Sequence, residues 1–176
     1  MIMTEKEFIK RLTNGKGDFL GAFISLLKKN KIKFCVIGGL GVNAYAEPVV
    51  SLDLDVVIVS EKIKGLISSL KKKFKLEVFP NSINVSGKSS DLRIQIQTDL
   101  RYQDFIRRAK VRNVLGYKLP VASIEDIFQG KVWAAMDETR RPSKRQKDLA
   151  DILRLIETKQ GLIKSLPEKL KNQLMQ

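Results

Sequence analysis

The chain has 176 residues, 43% hydrophobic and 30% charged, a composition that excludes a wholly disordered polymer and suits one domain or a domain with a helical appendage. It has no histidine and one cysteine, Cys35, which excludes a Ser-His-Asp triad, a Cys-His dyad, a zinc ribbon and an internal disulfide, so acid, base or metal chemistry must use Asp, Glu, Lys or Tyr. The net charge of +14 divides as +7 in residues 1–90 and +7 in residues 91–176; it favours a polyanionic partner such as RNA, DNA or a nucleotide, although a lysine-rich proteome produces the same excess.

Thr4-Glu5-Lys6-Glu7 has capping-box spacing before Phe8, Ile9 and Leu12, which predicts a short opening helix ended by Gly15 and Gly17. Phe19, Ala22, Phe23, Leu26 and Leu27 recur at helical spacing and predict an amphipathic helix to about residue 30. Residues 33–37 read as a buried strand, followed by Gly38-Gly39 and a short helix over 40–46 that Pro48 stops. A second strand, 54–59, is apolar on both faces and belongs at the centre of a sheet. Residues 61–74 predict a helix whose Lys71-Lys72-Lys73 end suits the helix dipole. Strands over 76–79, 82–86 and 92–97 follow, around turns at Pro80-Asn81 and Gly87-Lys88. Residues 102–109 predict a helix and 111–120 an extended connection; helices over 123–136 and 143–157 are separated by Pro142, and a last small helix starts at Pro167.

This order describes an α+β fold, a mixed β-sheet flanked by helices, with a core over residues 1–120 and a helical C-terminal part over 121–176. Residues 1–8 lack the basic and apolar regions of a secretion signal, no apolar run approaches bilayer-spanning length, and the single cysteine fits a reducing compartment. The expectation is a cytoplasmic protein with no membrane partner.

Chemistry concentrates at three places. Gly38-Gly39, between a strand and a helix, lets backbone N–H groups approach phosphate oxygens, or is simply a tight turn. Asp53 and Asp55, at i and i+2 of a strand, share one face with Cα atoms about 6.5 Å apart. Beside apolar residues 56–59 they require water, a cation or a basic partner, and a carboxylate pair with substrate phosphates is a common way to hold Mg2+. The plainer alternative is an acidic strand entrance that keeps the chain soluble. Lys131 lies on the face of its helix that carries Ile124, Ile127 and Phe128, so it either snorkels to solvent or reaches a cleft, where a triphosphate is its natural partner. In residues 140–147, five of eight are basic (Arg140, Arg141, Lys144, Arg145, Lys147), which makes a solvated helix start or a clamp on an NTP or RNA acceptor. Nine of the ten arginines follow Ser90, and arginine is the better bidentate phosphate ligand, so the second half is the expected contact surface.

The glycine pair, thirteen residues, then Asp-x-Asp, laid out as strand, turn, helix, strand, resembles the nucleotidyltransferase superfamily of DNA polymerase beta. The text GGLGVNAYAEPVVSLDLDVVIV of residues 38–59, with Asn43, Tyr45, Glu47-Pro48 and Ser51, is similar to the small prokaryotic nucleotidyltransferases related to AbiEii toxins. Residues 119–131 and 144–152 resemble that group's C-terminal helices, which carry a lysine and a Lys-Asp pair, so the likeness spans residues 34–155. It implies transfer of an NMP from an NTP to a hydroxyl or phosphate acceptor. Asp53 and Asp55 would then be catalytic and hold Mg2+ (or Mn2+), and Gly38, Gly39, Ser51, Lys131 and Lys147 would bind the nucleotide. Arg140, Arg141, Lys144 and Arg145 would contact the acceptor or its phosphates. RNA or tRNA, a protein acceptor and a cognate antitoxin are the implied partners, and a toxin-antitoxin toxin the implied role.

The superfamily usually carries a third acid on a neighbouring strand, whereas here Gln95 occupies that position; Asp91 shares its face and is the candidate to replace it. Two rival readings stand beside the enzyme: an inactive nucleotidyltransferase-fold module that binds RNA or a protein, and an amphipathic module docking through Ile152, Ile156 and the terminal helix.

Overall fold

The computed structural model describes residue 7, residues 18–88 and residues 90–174; apart from Glu7, the helix expected over residues 4–12 and the glycines after it lie outside the described residues. Helix α1 (Phe19–Lys29) opens where the Asp18 carboxylate accepts the Gly21 N–H at 2.7 Å, and it buries Leu20, Phe23, Ile24, Leu26 and Leu27. Strand β1 (Phe34–Ile37) is wholly buried and runs directly into α2 (Gly38–Asn43). That helix starts two residues ahead of the expected position because Gly38 takes φ +65, a left-handed conformation that reverses the chain without a linker.

Strand β2 (Asp53–Ile58) is antiparallel to β1, with Ile37 opposite Asp55. Helix α3 (Ser60–Lys71) leads to β3 (Lys75–Phe79), β4 (Ser82–Ser86) and β5 (Arg93–Gln97), the last returning parallel to β2. In place of one helix over residues 102–109 there is a 3-10 turn, Leu100–Tyr102, and a short α4 (Phe105–Arg108). The Asp99 carboxylate caps that turn by accepting the Arg101 N–H at 2.9 Å, which starts it early, and Tyr102 and Phe105 both pack on Trp133.

The extended connection over residues 111–120 is a hairpin, β6 (Lys110–Val114) and β7 (Tyr117–Val121). Its two turn residues, Leu115 (φ 52) and Gly116 (φ 76), both take positive φ, as a two-residue hairpin matched to strand twist requires. Helices α5 (Ile124–Met136), α6 (Pro142–Thr158) and α7 (Glu168–Leu174) close the chain, with a 3-10 turn, Gln160–Ser165, before the last.

The seven strands form one mixed sheet in the order β3-β4-β5-β2-β1-β7-β6, so β2 holds the central place its apolar sequence called for. Helix α5 packs on α6, and α2 lies against both. A single hydrophobic cluster runs from Val36, Val56 and Ile94 in the sheet to Ile127, Phe128, Ile152 and Leu155 in these helices, crossing the expected division at residue 120, which falls within β7. Each such side chain contributes about 1.5–3 kcal/mol on burial, which holds these helices to the sheet. No helix among the described residues is long and apolar enough to cross a membrane.

Candidate active site

The site forms where β1 turns into α2 beside the start of β2. A Cβ on Gly38 would lie 2.0 Å from Asp55 Oδ2, so the carboxylate rests against a backbone that only glycine leaves open. Gly39 has room, since a Cβ there would meet nothing nearer than Ser51 Oγ at 3.7 Å. Ser51 and Asp53 close a small turn, the Asp53 N–H donating to Ser51 Oγ at 3.4 Å and the hydroxyl donating to the Asp53 carbonyl at 3.3 Å.

The parallel register of β5 sets Arg93 level with Asp53 and Gln95 level with Asp55. Arg93 Nε donates to Asp53 Oδ1 at 2.9 Å, and Lys144 Nζ stands 3.7 Å from Asp53 Oδ2. Among the described residues no protein group hydrogen-bonds the Asp55 carboxylate. Burial pushes that carboxyl up to about 6, with Asp53 adding to the rise and Lys131, Lys144 and Lys147 opposing it.

The opposite wall comes from α5 and α6. Lys131 is buried (8% exposed), and its Nζ lies 2.9 Å from Asp148 Oδ1 and 2.7 Å from Asp151 Oδ2. Burial alone would lower this ammonium's pKa, but Asp148 and Asp151 outweigh it and hold the pKa above its ordinary value. Arg140 Nε also donates to Asp148, and Arg154 Nη1 pairs with Asp151 at 2.7 Å. Arg154 Nη2 further donates to Asn43 Oδ1 at 2.9 Å and to the Glu47 carbonyl, while Asn43 exchanges two hydrogen bonds with the Val49 backbone. The loop between α2 and β2 is therefore tied to α6.

Of the residues expected from sequence, Gly38, Gly39, Ser51, Asp53, Asp55, Lys131, Arg140, Lys144 and Lys147 line one cleft, joined there by Gln95 and Asp148. Asp91 is not brought to it: it is exposed, and pairing begins at Arg93, so it falls beyond the acid pair. Arg141 is the N-cap residue of α6, and the Arg145 guanidinium turns back to donate to the carbonyls of Asp137 (3.2 Å) and Glu138 (3.4 Å), so neither lines the cleft. The sequence did not reveal Asp151, which reaches the site through its ion pair with Lys131, or the wall formed by Gln97, Tyr102 and Phe105. Two acids, Asp148 and Asp151, standing beside Leu149 and Ile152 on the inward face of α6 were the available signal.

The residues present fit a divalent cation. Asp55 is a poorly solvated carboxylate without a protein donor, Asp53 stands two residues away on the same strand face, and Gly38, lacking a Cβ, leaves the room that the Asp55 carboxylate fills. Hard oxygen donors of this kind suit Mg2+ completed by water and phosphate oxygens. Among the described residues no group of three or more acidic or cysteine side chains converges on one point, in keeping with a neutral Gln95 beside Asp55.

Comparison with known proteins follows the same lines. The family model described as "Nucleotidyl transferase AbiEii toxin, Type IV TA system" matches residues 27–175. No curated protein sequence matches the chain. Among solved structures, the antibiotic-resistance factor ANT(2")-Ia in complex with adenylyl-2"-tobramycin superposes with a TM-score of 0.58 at 14% identity, over 89% of this chain and 94% of that one. The lincosamide antibiotic adenylyltransferase LnuA, lincomycin-bound, gives 0.53 at 14% identity, over 77% of this chain and 95% of that one. An antigenic nucleotidyltransferase-like protein from Paracoccidioides brasiliensis gives 0.53 at 16% identity, over 87% and 75%. At these identities the likeness is one of fold.

Proposed function

The chain belongs to the AbiEii nucleotidyltransferase family, and from that premise we propose that it moves an NMP from an NTP to an acceptor in a Mg2+-dependent reaction at the cleft between Asp53, Asp55 and Lys131. The observation that carries this reading is the Asp55 carboxylate, pressed against Gly38, pushed up to about 6 by burial and left without a protein partner. A buried acid without a donor costs stability unless a cation meets it.

Asp53 and Asp55 would hold the cation, which when bound neutralises charge on the triphosphate and on the leaving pyrophosphate. Gly39, with open space above its Cα, lets the triphosphate approach the start of α2, and Ser51 offers a hydroxyl beside it. Lys144 and Lys147 reach the cleft from α6 and attract the phosphates. Lys131 acts mainly from below: its charge is committed to Asp148 and Asp151, so it fixes the spacing of α5 against α6 and lends the cleft floor a positive potential. RNA, including tRNA, and a cognate antitoxin are the partners we assign, on the strength of the +14 charge and the family's description as a toxin of a type IV system.

The experiment is incubation of the protein with each α-labelled NTP, Mg2+ and total cellular RNA, beside Asp53→Asn. We expect label on RNA or protein with the native chain and a loss of at least about 1,000-fold in the variant with its circular dichroism unchanged, since the triphosphate charge is then unmet. An undiminished rate in Asp53→Asn would falsify the assignment.

A further inference from the structure

We infer that helices α1 and α3 form a docking surface for the phosphate backbone of RNA, separate from the cleft; the choice of RNA rests on the partner proposed above, and the surface itself rests on the fold. Residues 18–33 and 60–75, the two helices with their flanks, hold ten lysines and two acids, and so supply +8 of the chain's +14. All ten lysines are exposed. Among the described residues only Lys75 of the ten has an ionic partner, Glu77 at 3.1 Å. The helix dipole accounts for Lys28, Lys29 and Lys71, which stand in last turns. It does not account for Lys62, in the first turn of α3, where a cation is unfavourable.

The fold gathers part of this charge at one place. Lys29 of α1 and Lys72 and Lys73 at the end of α3 line a single groove of about 360 Å3, with Ser25 and Ser69 beside them. Among the described residues the groove is lined by no acid and no aromatic ring, and it shares no residue with the cleft around Asp53 and Asp55. Like charges held together repel, and a row of phosphates removes that repulsion while releasing its own counterions. Lysine is depleted at protein interfaces, whose centres are enriched in aromatic side chains, so ammonium groups beside serine hydroxyls match a phosphate backbone better than the face of a second protein. Without rings to stack on bases, the contact is independent of base sequence. A surface of this kind holds the RNA while the cleft acts on it, and so governs affinity for the acceptor and leaves the chemical step alone.

The test compares the native full chain with two triple variants: Lys29→Gln with Lys72→Gln and Lys73→Gln in the groove, and Lys110→Gln with Lys164→Gln and Lys169→Gln, exposed lysines that line neither groove nor cleft. Both remove the same charge, and circular dichroism checks that both fold. Fluorescence anisotropy reads the binding of labelled oligo(U) and of labelled poly-L-glutamate between about 50 and 200 mM NaCl. We expect the groove variant to bind oligo(U) at least about 10-fold more weakly, with its slope of log K against log salt reduced by about 2, since each phosphate contact on a single strand contributes about 0.7. The control variant should lose less than about 3-fold. Equal losses in the two variants overturn the inference, because the charge then acts as a whole and not as a surface. A loss confined to poly-L-glutamate overturns it in favour of an acidic protein segment. In label transfer to total cellular RNA, the groove variant should raise KM for the RNA at unchanged kcat, and a lowered kcat at saturating RNA overturns the separation from the cleft. Absence of label beside a groove-specific loss of oligo(U) binding overturns the transferase reading and leaves the surface standing.

Discussion

Gly38 and Gly39 are neighbours with different constraints. Gly38 combines φ +65 with an Asp55 oxygen at 2.0 Å from any added Cβ, whereas Gly39 has normal backbone and 3.7 Å of clearance. We expect Gly38→Ala to lower stability by about 2–4 kcal/mol, left-handed strain plus a displaced carboxylate, and Gly39→Ala to change it by less than about 1 kcal/mol. Urea unfolding midpoints of the two variants check this; equal shifts would mean that Asp55 does not rest on Gly38. Asp55 itself makes a pH prediction. Its folded pKa of about 6 lies above the ordinary carboxylate value of about 3.9, so between these values the native state binds the extra proton and stability falls as pH rises. The metal-free protein should therefore be more stable near pH 4.5 than near pH 7 as far as this group is concerned. Asp55→Asn should remove that component and raise the pH 7 stability by about 1–3 kcal/mol. Thermal melts with chelator at the two pH values read it, and a variant that melts lower at pH 7 would refute the burial of a charge there.

At the scale of elements, α5 and α6 are joined by ions where most helix pairs use apolar contacts. Lys131 is 8% exposed, Asp148 1% and Asp151 3%, and the two carboxylates are also reached by Arg140 and Arg154. Removing the lysine leaves buried negative charge short of a partner, so Lys131→Met should cost about 3 kcal/mol, even though methionine fills a similar volume. Chemical denaturation of the full chain measures this, and an unchanged midpoint would place the lysine in solvent. The helix itself was legible, with Ser123 accepting the Asp126 N–H at 3.1 Å as its cap, and so was the place of Lys131 on the apolar face. Its fate was not, because i+7 spacing fixes a face and says nothing about which side chains of α6 meet it. The β6–β7 hairpin was missed for a local reason: Leu115 at positive φ is a poor hairpin signal, and only the pairing of the flanking strands enforces it.

Over the whole molecule, +14 charges on 176 residues repel one another, and the excess is present in both halves. Screening reduces that repulsion within a Debye length of about 10 Å at 0.1 M salt, so the melting temperature should rise by a few degrees between 20 and 300 mM NaCl. Differential scanning calorimetry at fixed pH tests it; a falling melting temperature would mean that the ion pairs around Asp53, Asp148 and Asp151 outweigh the net repulsion. The same field favours anions at the cleft rim, where Lys144 and Lys147 stand, so the molecule's overall charge and the local charge of its cleft have the same sign.

The sequence by itself determined the order of elements from α1 to β5 and the two long helices α5 and α6, the mixed sheet with β2 at its centre, the glycine pair and the carboxylate pair, because periodicity, turn chemistry and i, i+2 spacing are local properties that any fold must respect. Tertiary structure alone decided that Gln95, and not Asp91, stands beside Asp55, since that depends on the register of β5 against a strand forty residues earlier. It also decided that Lys131 is spent on Asp148 and Asp151, that Arg140 and Lys144 turn toward the cleft, and that Arg141 and Arg145 do not. Contacts between residues far apart in the chain are set by which faces can be buried together, and no stretch of sequence carries that information alone.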